Sequence, residues 1–354
     1  MVSALDVATA AAFLSAVAGG RQPDDLGALG AQPTLVIDLD SAGPGRPASL
    51  EVMSPLPCVV IGLSGAADPP SAPAACDVLL TTSPEPPSPW VGVPGALADA
   101  TAQLVDQIAR RPAAACTLSQ LLRAGETLTV EGALVAESLA YSTLQSGPEF
   151  ARWLEGRSAR PVHRDEAPVL VARQGATLCI TLNRPERRNA FNAAMRDALI
   201  SALEVALADD TVTCVDLRGA GSAFCSGGDL DEFGALPDPA TAHLIRTTRS
   251  TGARLARCAE RTTVRVHGAC VGAGIELPAF AGRVVAAPDT RIMLPEVAMG
   301  LVPGAGGTAS IPRRIGRQRC AWLALSGQWI DVGVAQAWGL VDEISPMQEG
   351  AWLP

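Results

Sequence analysis

Two glutamates differ from the other acidic residues of this chain because each lies in an apolar, glycine-rich stretch. Glu276 falls within "HGACVGAGIELPAFAG" and Glu296 within "LPEVAMGLVPGAGGT", and neither has a basic residue beside it. A weakly solvated carboxylate has its charged form disfavoured, so its pKa rises toward the working pH. Two such groups sharing one water can divide general acid and general base work. The alternative is that each glutamate only caps backbone amides at a helix start.

Two glycine-rich turns accompany these carboxylates, in "GSAFCSGGDLDEF" and "VGAGIEL". A strand that ends in small residues and turns into a helix leaves backbone N–H groups unpaired. If both turns face one point, they form a two-donor site for a developing oxyanion. Either turn alone is more often only a turn, whereas both turns beside two isolated glutamates indicate an active site.

Composition narrows the class of protein. The chain has 354 residues, 48% of them hydrophobic and 18% charged, which is typical of a globular protein. Its net charge is −9 and, histidines aside, every basic residue is an arginine, so we predict no nucleic-acid partner and no membrane partner. Nine cysteines without a CxxC pair favour a reduced, cytoplasmic location. Three widely spaced histidines predict no metal site. A helix-like stretch at 6–20 has no basic residue before it, which argues against a secretory signal.

Three regions follow one another along the chain. Residues 1–95 mix strand-like runs with proline-rich connectors. Residues 96–165 are a helical segment, followed by a charged, proline-rich linker that spans 158–168 and so overlaps the boundary with the next region. Residues 166–354 alternate strands and helices as in an α/β fold. The first region weakly echoes the third, since "TLVIDLD" before "CVVIGLSGAAD" parallels "TLCITLN" before "CVDLRGAGSAFCSGGD". The first region is therefore either a degenerate partial copy of the third or a chance likeness among β-rich stretches.

From about residue 167 to 345 the chain resembles the crotonase superfamily, the enoyl-CoA hydratase/isomerase fold. The matching motifs, in order, are "LNRPERRNAFN", "AFCSGGDL", "HGACVGAGIEL", "LPEVAMGLVPGAGGT", "IPRRIG" and "AQAWGLVDEI". The resemblance implies an α/β fold with a crotonase-like ββα spiral core, an associated helical segment and an N-terminal degenerate β-rich region. This scaffold hosts hydration, isomerisation, hydrolysis and C–C cleavage, so the fold alone does not select the reaction.

The resemblance also implies roles for particular residues. The backbone N–H groups of Gly228 and Ala273 are expected to bind the thioester oxygen, and Glu276 and Glu296 match the two glutamates of the hydratases. Contacts with coenzyme A are implied for Ser226, Gly227, Asp229, Leu230, Arg187 and Arg188. Asp231 departs from the pattern, because hydratases often carry a lysine there, and this departure weakens the expected phosphate contacts.

The end of the chain departs further from the family. Crotonases continue after "GLVDEI" with helices that close the acyl pocket and support trimer assembly, and here only "SPMQEGAWLP" follows. Residues 96–157 resemble those helices, so we expect that they have moved in front of the core. They then pack either on their own core or on a neighbour, and the implied assembly is a homo-trimer or hexamer.

These observations predict an enzyme that acts on an acyl-CoA thioester, by hydration of a 2-enoyl-CoA to a 3-hydroxyacyl-CoA. No cofactor is expected, because coenzyme A is part of the substrate. The alternatives are an enoyl-CoA isomerase or another crotonase reaction, or a non-catalytic acyl-CoA-binding subunit of a hetero-oligomer. No pattern indicates the length of the acyl chain.

Overall fold

The structure is a computed structural model that describes residues 7–9, 26–30, 32–42, 56–157, 167–235 and 238–346. The helix-like stretch predicted at 6–20 lies outside these residues except at its start, where Val7–Thr9 is a strand and the prediction was wrong. The linker predicted at 158–168 also lies outside them, apart from its last two residues.

The first region forms a sheet of five parallel strands arranged in chain order. The strands are β1 (Val7–Thr9), β2 (Thr34–Asp38), β3 (Val59–Ser64), β4 (Val78–Thr81) and β5 (Val91–Gly92). Every residue of β3 and β4 is buried, as expected for parallel strands covered on both faces. The core described below also has five parallel strands in chain order, but the partial-copy interpretation stays a prediction.

The second region is helical, as its hydrophobic period predicted. Its helices are α1 (Leu97–Arg110), α2 (Pro112–Gly125), α3 (Val130–Gln145) and α4 (Pro148–Glu155). Proline opens both α2 and α4, where its missing N–H costs no hydrogen bond, and the Thr129 side chain accepts from the amide of Gly132 to cap α3. Leu104 and Ile108, four residues apart on α1, are buried on one face of the helix.

The described residues of the third region form nine strands in two sheets. In chain order they are β6 (Val169–Gln174), β7 (Thr177–Leu182), β8 (Cys214–Gly219), β9 (Thr262–Val266), β10 (Ala269–Val271), β11 (Arg283–Ala286), β12 (Arg291–Met293), β13 (Ile330–Asp331) and β14 (Glu343–Ile344). The larger sheet has the order β14-β11-β9-β8-β7-β6 and is parallel except for the predicted hairpin of β6 and β7. The smaller sheet joins β10, β12 and β13.

Seven helices complete this α/β core among the described residues. They are α5 (Ala193–Ala208), α6 (Pro239–Thr248), α7 (Thr251–Arg257), α8 (Ala273–Glu276), α9 (Gly307–Ile315), α10 (Arg317–Ser326) and α11 (Val332–Trp338). Across the part of the chain that the structure describes, no helix is both long enough and apolar enough to cross a lipid bilayer.

The helical segment packs on the core of its own chain. Helix α3 contacts α6, α7 and α9, while α1 and α2 contact α10, so one hydrophobic core includes buried residues from all three regions. Of the two arrangements expected for the displaced helices, this chain therefore adopts packing in cis. Leu139 of α3 is an exception among the apolar residues of this segment, since it is 53% exposed on the outer face of the helix.

A buried group of charges joins the three regions. Asp77, which precedes β4 and is 1% exposed, accepts a hydrogen bond from Arg123 of α2 at 2.7 Å and pairs with Arg317 of α10 at 3.4 Å. The amide of Val60 donates to the other carboxylate oxygen of Asp77 at 2.8 Å. Because losing one partner leaves a buried charge uncompensated, this group ties the N-terminal sheet to the core.

Candidate active site

Pairing between two loops brings the predicted oxyanion turns together. Cys225 pairs with Cys270 as an isolated parallel bridge, and the amide of Val271 donates to the carbonyl of Cys225 at 3.0 Å. Gly228 and Ala273 each lie three residues beyond this bridge. Since parallel pairing runs both segments in one direction, both turns emerge on the same side.

Glycine is needed at this crossing because a Cβ on Gly274 would collide with the carbonyl oxygen of Cys225. Ala273 begins α8, so its N–H belongs to the group that a helix start leaves free. Within the described ranges, neither Gly228 nor Ala273 donates its amide N–H to another protein group. Both residues line the same cavity. Two free amides on one wall can bind an oxygen that gains negative charge.

Glu276 lies one turn into α8 and is 2% exposed. Its Oε2 accepts hydrogen bonds from the amides of Ala305 at 2.8 Å and Gly307 at 2.9 Å. Burial raises the pKa of Glu276, and these two amides act in the opposite direction. None of the ion pairs among the described residues involves Glu276, as the sequence indicated. The carboxylate is therefore held by backbone dipoles rather than by a cation.

Glu296 opens a 3-10 helix, Glu296–Met299, and is also buried. Its Oε2 has no hydrogen-bond partner in the described part of the protein. Both carboxylates lie close to Gly272. A Cβ added to this glycine would collide with Oε1 of Glu296 and would lie 3.6 Å from Oε1 of Glu276. Burial, and then the charge of Glu276, raise the pKa of Glu296. Glu276 is thus better placed to be ionised and Glu296 to hold a proton.

All four residues predicted for the chemistry line one cavity of about 550 Å³: Gly228, Ala273, Glu276 and Glu296. Aromatic rings form part of its wall. Phe150 of α4 stacks on Trp153 at a centroid distance of 5.8 Å, and Phe233 of the core lies 5.8 Å from Trp153. The helical segment and the core therefore build the cavity together, and its aromatic wall suits an apolar chain.

The residues implied for coenzyme A binding occupy a different position. Of the six, only Asp229 lines the cavity, and Ser226, Gly227, Leu230, Arg187 and Arg188 do not. The Asp229 carboxylate pairs with the buried Arg184 at 2.9 Å and with Arg187 at 3.4 Å. Arg187 also pairs with Asp231, the residue that replaces the family's lysine. The guanidinium of Arg187 is therefore already neutralised by two carboxylates.

Sequence reasoning missed three residues of the cavity wall: Glu137, Tyr141 and Arg246. Glu137 and Tyr141 are four residues apart on α3, so they share one face of the helix. Glu137 is 3% exposed and accepts hydrogen bonds from the amides of Gly306 at 2.7 Å and Thr308 at 2.8 Å. Burial and the charge of Glu276 raise the pKa of Glu137, while its hydrogen bonds lower it. The four-residue spacing of Glu137 and Tyr141, in a helix otherwise rich in Ala and Leu, is the sequence feature that could have indicated a polar face on this helix.

Comparison with known proteins agrees with the geometry. The enoyl-CoA hydratase/isomerase family model matches residues 172–350, half of the chain. The 2,3-dehydroadipyl-CoA hydratase of Escherichia coli (strain K12) is 36% identical over 178 residues, covering 50% of this chain and 69% of that protein. The 1,2-epoxyphenylacetyl-CoA isomerase of the same organism is 36% identical over 172 residues, covering 47% and 65%.

A solved structure of an enoyl-CoA hydratase from Mycobacterium smegmatis is similar over 51% of this chain and 71% of that one, with 30% identity and a TM-score of 0.48. The match spans about two thirds of the length of each of the two E. coli relatives. From the extent of the family match and its similarity to these relatives, the chain belongs to the enoyl-CoA hydratase/isomerase family, the crotonase superfamily.

Proposed function

We propose that the protein hydrates a 2-enoyl-CoA to a 3-hydroxyacyl-CoA. One observation carries the proposal: two buried glutamates share a cavity with the amides of Gly228 and Ala273, and among the described residues the glutamates have no cationic partner and the amides have no acceptor. Backbone capping explains Glu276, whose Oε2 accepts from two amides, but it does not explain Glu296, whose Oε2 has no partner among the described residues.

The chemistry follows from the different surroundings of the two carboxylates. Glu276, held by two amides, takes a proton from water as the oxygen of that water bonds to C3 of the enoyl group. The electron pair of the double bond moves toward the thioester oxygen, which the amides of Gly228 and Ala273 bind. Glu296, whose surroundings favour the acid form, gives its proton to C2. The oxidation state of the substrate plus water does not change, so the reaction needs no redox cofactor.

The binding of coenzyme A remains part of the same proposal. The loop containing Ser226, Gly227, Asp229 and Leu230 would contact the coenzyme outside the cavity, with its backbone fixed by the bond from the amide of Ser226 to the carbonyl of Arg188 at 2.9 Å. Because Arg187 is already paired, Arg188 is the better candidate for a phosphate contact. Assembly as a homo-trimer or hexamer and a cytoplasmic location remain predictions.

An isomerase is the second candidate. The matching family model includes enoyl-CoA isomerases as well as hydratases, and one carboxylate is then enough, because it removes a proton from one carbon and returns it to another. A non-catalytic acyl-CoA-binding subunit is the remaining alternative from another class. A hydratase adds water to a simple enoyl thioester, an isomerase only moves its double bond, and a binding subunit leaves it unchanged.

The test is incubation of the whole protein with crotonyl-CoA while the enoyl absorbance is followed. A loss of absorbance together with the appearance of 3-hydroxybutyryl-CoA supports hydration. Conversion of 3-enoyl-CoA to 2-enoyl-CoA without hydration would establish the isomerase instead. Tight binding of acyl-CoA without turnover of either compound would establish the binding subunit.

A further inference from the structure

Arg246 of α6 is a half-buried cation on the wall of the catalytic cavity. Its Nε donates to Oγ of Ser138 at 3.1 Å, its Nη1 donates to Oε1 of Gln145 at 3.2 Å, and its Nη2 donates to Oγ of Ser142. Its guanidinium carbon lies 4.5 Å from the centre of the Tyr141 ring. All of these partners belong to α3, and all of them are electrically neutral.

The other two arginines on this wall are different. Arg196 and Arg249 both pair with Asp197, each at 2.9 Å. In the ranges that the structure covers, no carboxylate lies within ion-pair distance of Arg246. Of the three cavity-wall arginines, Arg246 is therefore the one without a carboxylate in ion-pair contact among the described residues, and the charge of Glu137 acts on it only from a longer distance.

Neutral acceptors satisfy the N–H groups of Arg246 but leave its charge in place. Burial disfavours that charge and lowers the pKa of Arg246, although arginine keeps its proton in proteins. The Tyr141 ring compensates part of the cost through its π face. A buried cation is normally paired with an anion, so an unpaired one on a ligand-binding wall points to an anion that comes with the ligand.

The nearby carboxylates do not supply that anion. Glu137 and Glu276 bind the amides of the loop between β12 and α9. Glu232 accepts from the amide of Ala193 at 2.8 Å, and Asp238 caps α6 through the amide of Thr241 at 2.7 Å. These four carboxylates are already bound to backbone groups, and Glu296, which also lines the cavity, makes no ion pair with Arg246 among the described residues, so Arg246 is available to a bound molecule.

We propose that the acyl group of the substrate ends in a carboxylate and that Arg246 binds it, which makes the substrate an ω-carboxylated acyl-CoA. This inference rests on the proposed function, because it requires the acyl chain of the substrate to bind in this cavity. A planar guanidinium matches a carboxylate, and the pair orients the chain so that its enoyl carbons face Glu276 and Glu296. A purely structural role, in which Arg246 only fastens α6 to α3, is the competing explanation.

The test measures binding rather than turnover, so it does not depend on the hydration reaction. Titration calorimetry of the whole protein compares three length-matched pairs of saturated thioesters: succinyl-CoA with butyryl-CoA, adipyl-CoA with hexanoyl-CoA, and suberyl-CoA with octanoyl-CoA. We expect the carboxylated member to bind at least about 10-fold more tightly at one or more lengths, as for other desolvated charge pairs. Arg246→Met, which keeps the length of the side chain but not its charge, should abolish that preference.

Two control variants separate recognition from fastening. Arg249→Met removes a cation from the same wall that Asp197 already balances, and Ser142→Ala removes one contact of Arg246 without removing its charge. Both should keep the preference, and so should Arg246→Lys, which keeps the charge. If Arg246→Met does not fold, Arg246→Gln, which keeps a hydrogen-bond donor without the charge, should abolish the preference instead. Equal affinity within all three wild-type pairs overturns the proposal, as does a preference that survives in Arg246→Met or disappears in Ser142→Ala. Failure to hydrate crotonyl-CoA with the preference intact would reject only the proposed reaction.

Discussion

Glu137 and Glu276 hold the same loop through alternating amides. Glu276 accepts from Ala305 and Gly307, while Glu137 accepts from Gly306 and Thr308. One carboxylate comes from the core and the other from α3, so the loop at the start of α9 is held from both sides. Neither carboxylate has a cationic partner in the described part of the chain. The position of Glu276 therefore depends on a residue nearly 140 positions earlier in the sequence.

Glu137→Gln should lower kcat by about 10- to 100-fold while changing acyl-CoA affinity little. The side-chain NH₂ of the new glutamine would face the backbone N–H of Gly306 or Thr308, so two donors would meet and the loop would shift. A displaced loop would move Glu276 away from the substrate. Glu149→Gln is the control, because Glu149 is a buried cap of the same helical segment that accepts from the amides of Ala113 and Ala114. Both variants should unfold more easily by about 1–3 kcal/mol. An equal loss of kcat in both would show that Glu137 acts only through stability.

Glu276→Gln and Glu296→Gln should each lower kcat by about 10²–10⁴-fold, the usual contribution of general acid–base groups. Neither variant should lose stability, because one amide oxygen can still accept both hydrogen bonds of Glu276 and because Oε2 of Glu296 has no partner among the described residues. Steady-state kinetics with crotonyl-CoA measure the effect, and thermal melting checks the fold. Full activity in either variant contradicts the two-carboxylate mechanism, and a loss in only one favours the isomerase.

Gly307→Ala should displace the carboxylate of Glu276 within the cavity. A Cβ at this position would lie 2.6 Å from Cγ and 2.8 Å from Oε2 of Glu276, so the flexible side chain must move. Gly132→Ala is the matched control, since it lies in the first turn of α3 and its Cβ would meet no atom closer than 3.5 Å. Alanine raises helix propensity at both positions, so Gly132→Ala should be no less stable, whereas moving the buried side chain of Glu276 should make Gly307→Ala easier to unfold. We expect kcat to fall at least about 10-fold in Gly307→Ala and to stay unchanged in Gly132→Ala.

The buried carboxylate of Glu296 should make the stability of the protein depend on pH. Its pKa is raised in the folded state above its ordinary value of 4.5, so the folded protein keeps a proton that the unfolded chain has lost. The stabilisation is fully present below pH 4.5 and is lost as the pH rises through the folded pKa. Glu296→Gln removes this dependence, so the variant should gain stability relative to the wild type from pH 5 to pH 8. Urea unfolding at several pH values measures the difference, and a constant or opposite trend would refute it.

A chain that begins at Val169 should be insoluble or aggregated. It would expose the surfaces of α9 and α10 that the helical segment covers, an apolar area above the roughly few hundred Å² typical of soluble monomers. Supplying residues 1–157 through a flexible linker at its C-terminus should restore a soluble, active protein, because Arg317 needs Asp77 of the N-terminal sheet as well as the helical cover. Light scattering and crotonyl-CoA hydration report the two properties. A soluble and fully active Val169 chain would show that the helices are not needed.

Local motifs allowed the core and its chemistry to be anticipated from the sequence. Glu276 and Ala273 lie within one turn of the same helix, and the glycine spacing around Gly228 indicated an exposed backbone amide. Arg246 and Glu137 were not anticipated, because their surroundings exist only after α3 has packed against α6 and α9. The ion pair of Arg187 with Asp231 also forms only in the folded chain, although Asp231 had already weakened the expected phosphate contacts in the sequence.

The hydrogen bonds of Glu137 to Gly306 and Thr308 also bear on the order of folding. They close chain separations of 169 and 171 residues, about half the length of the protein. Such distant contacts carry a large loop-closure entropy, so they form after local helices and neighbouring strands. The N-terminal half of the chain must therefore fold and dock before the loop that holds Glu276 is complete. During refolding from denaturant, helical circular dichroism should return first and catalytic activity last.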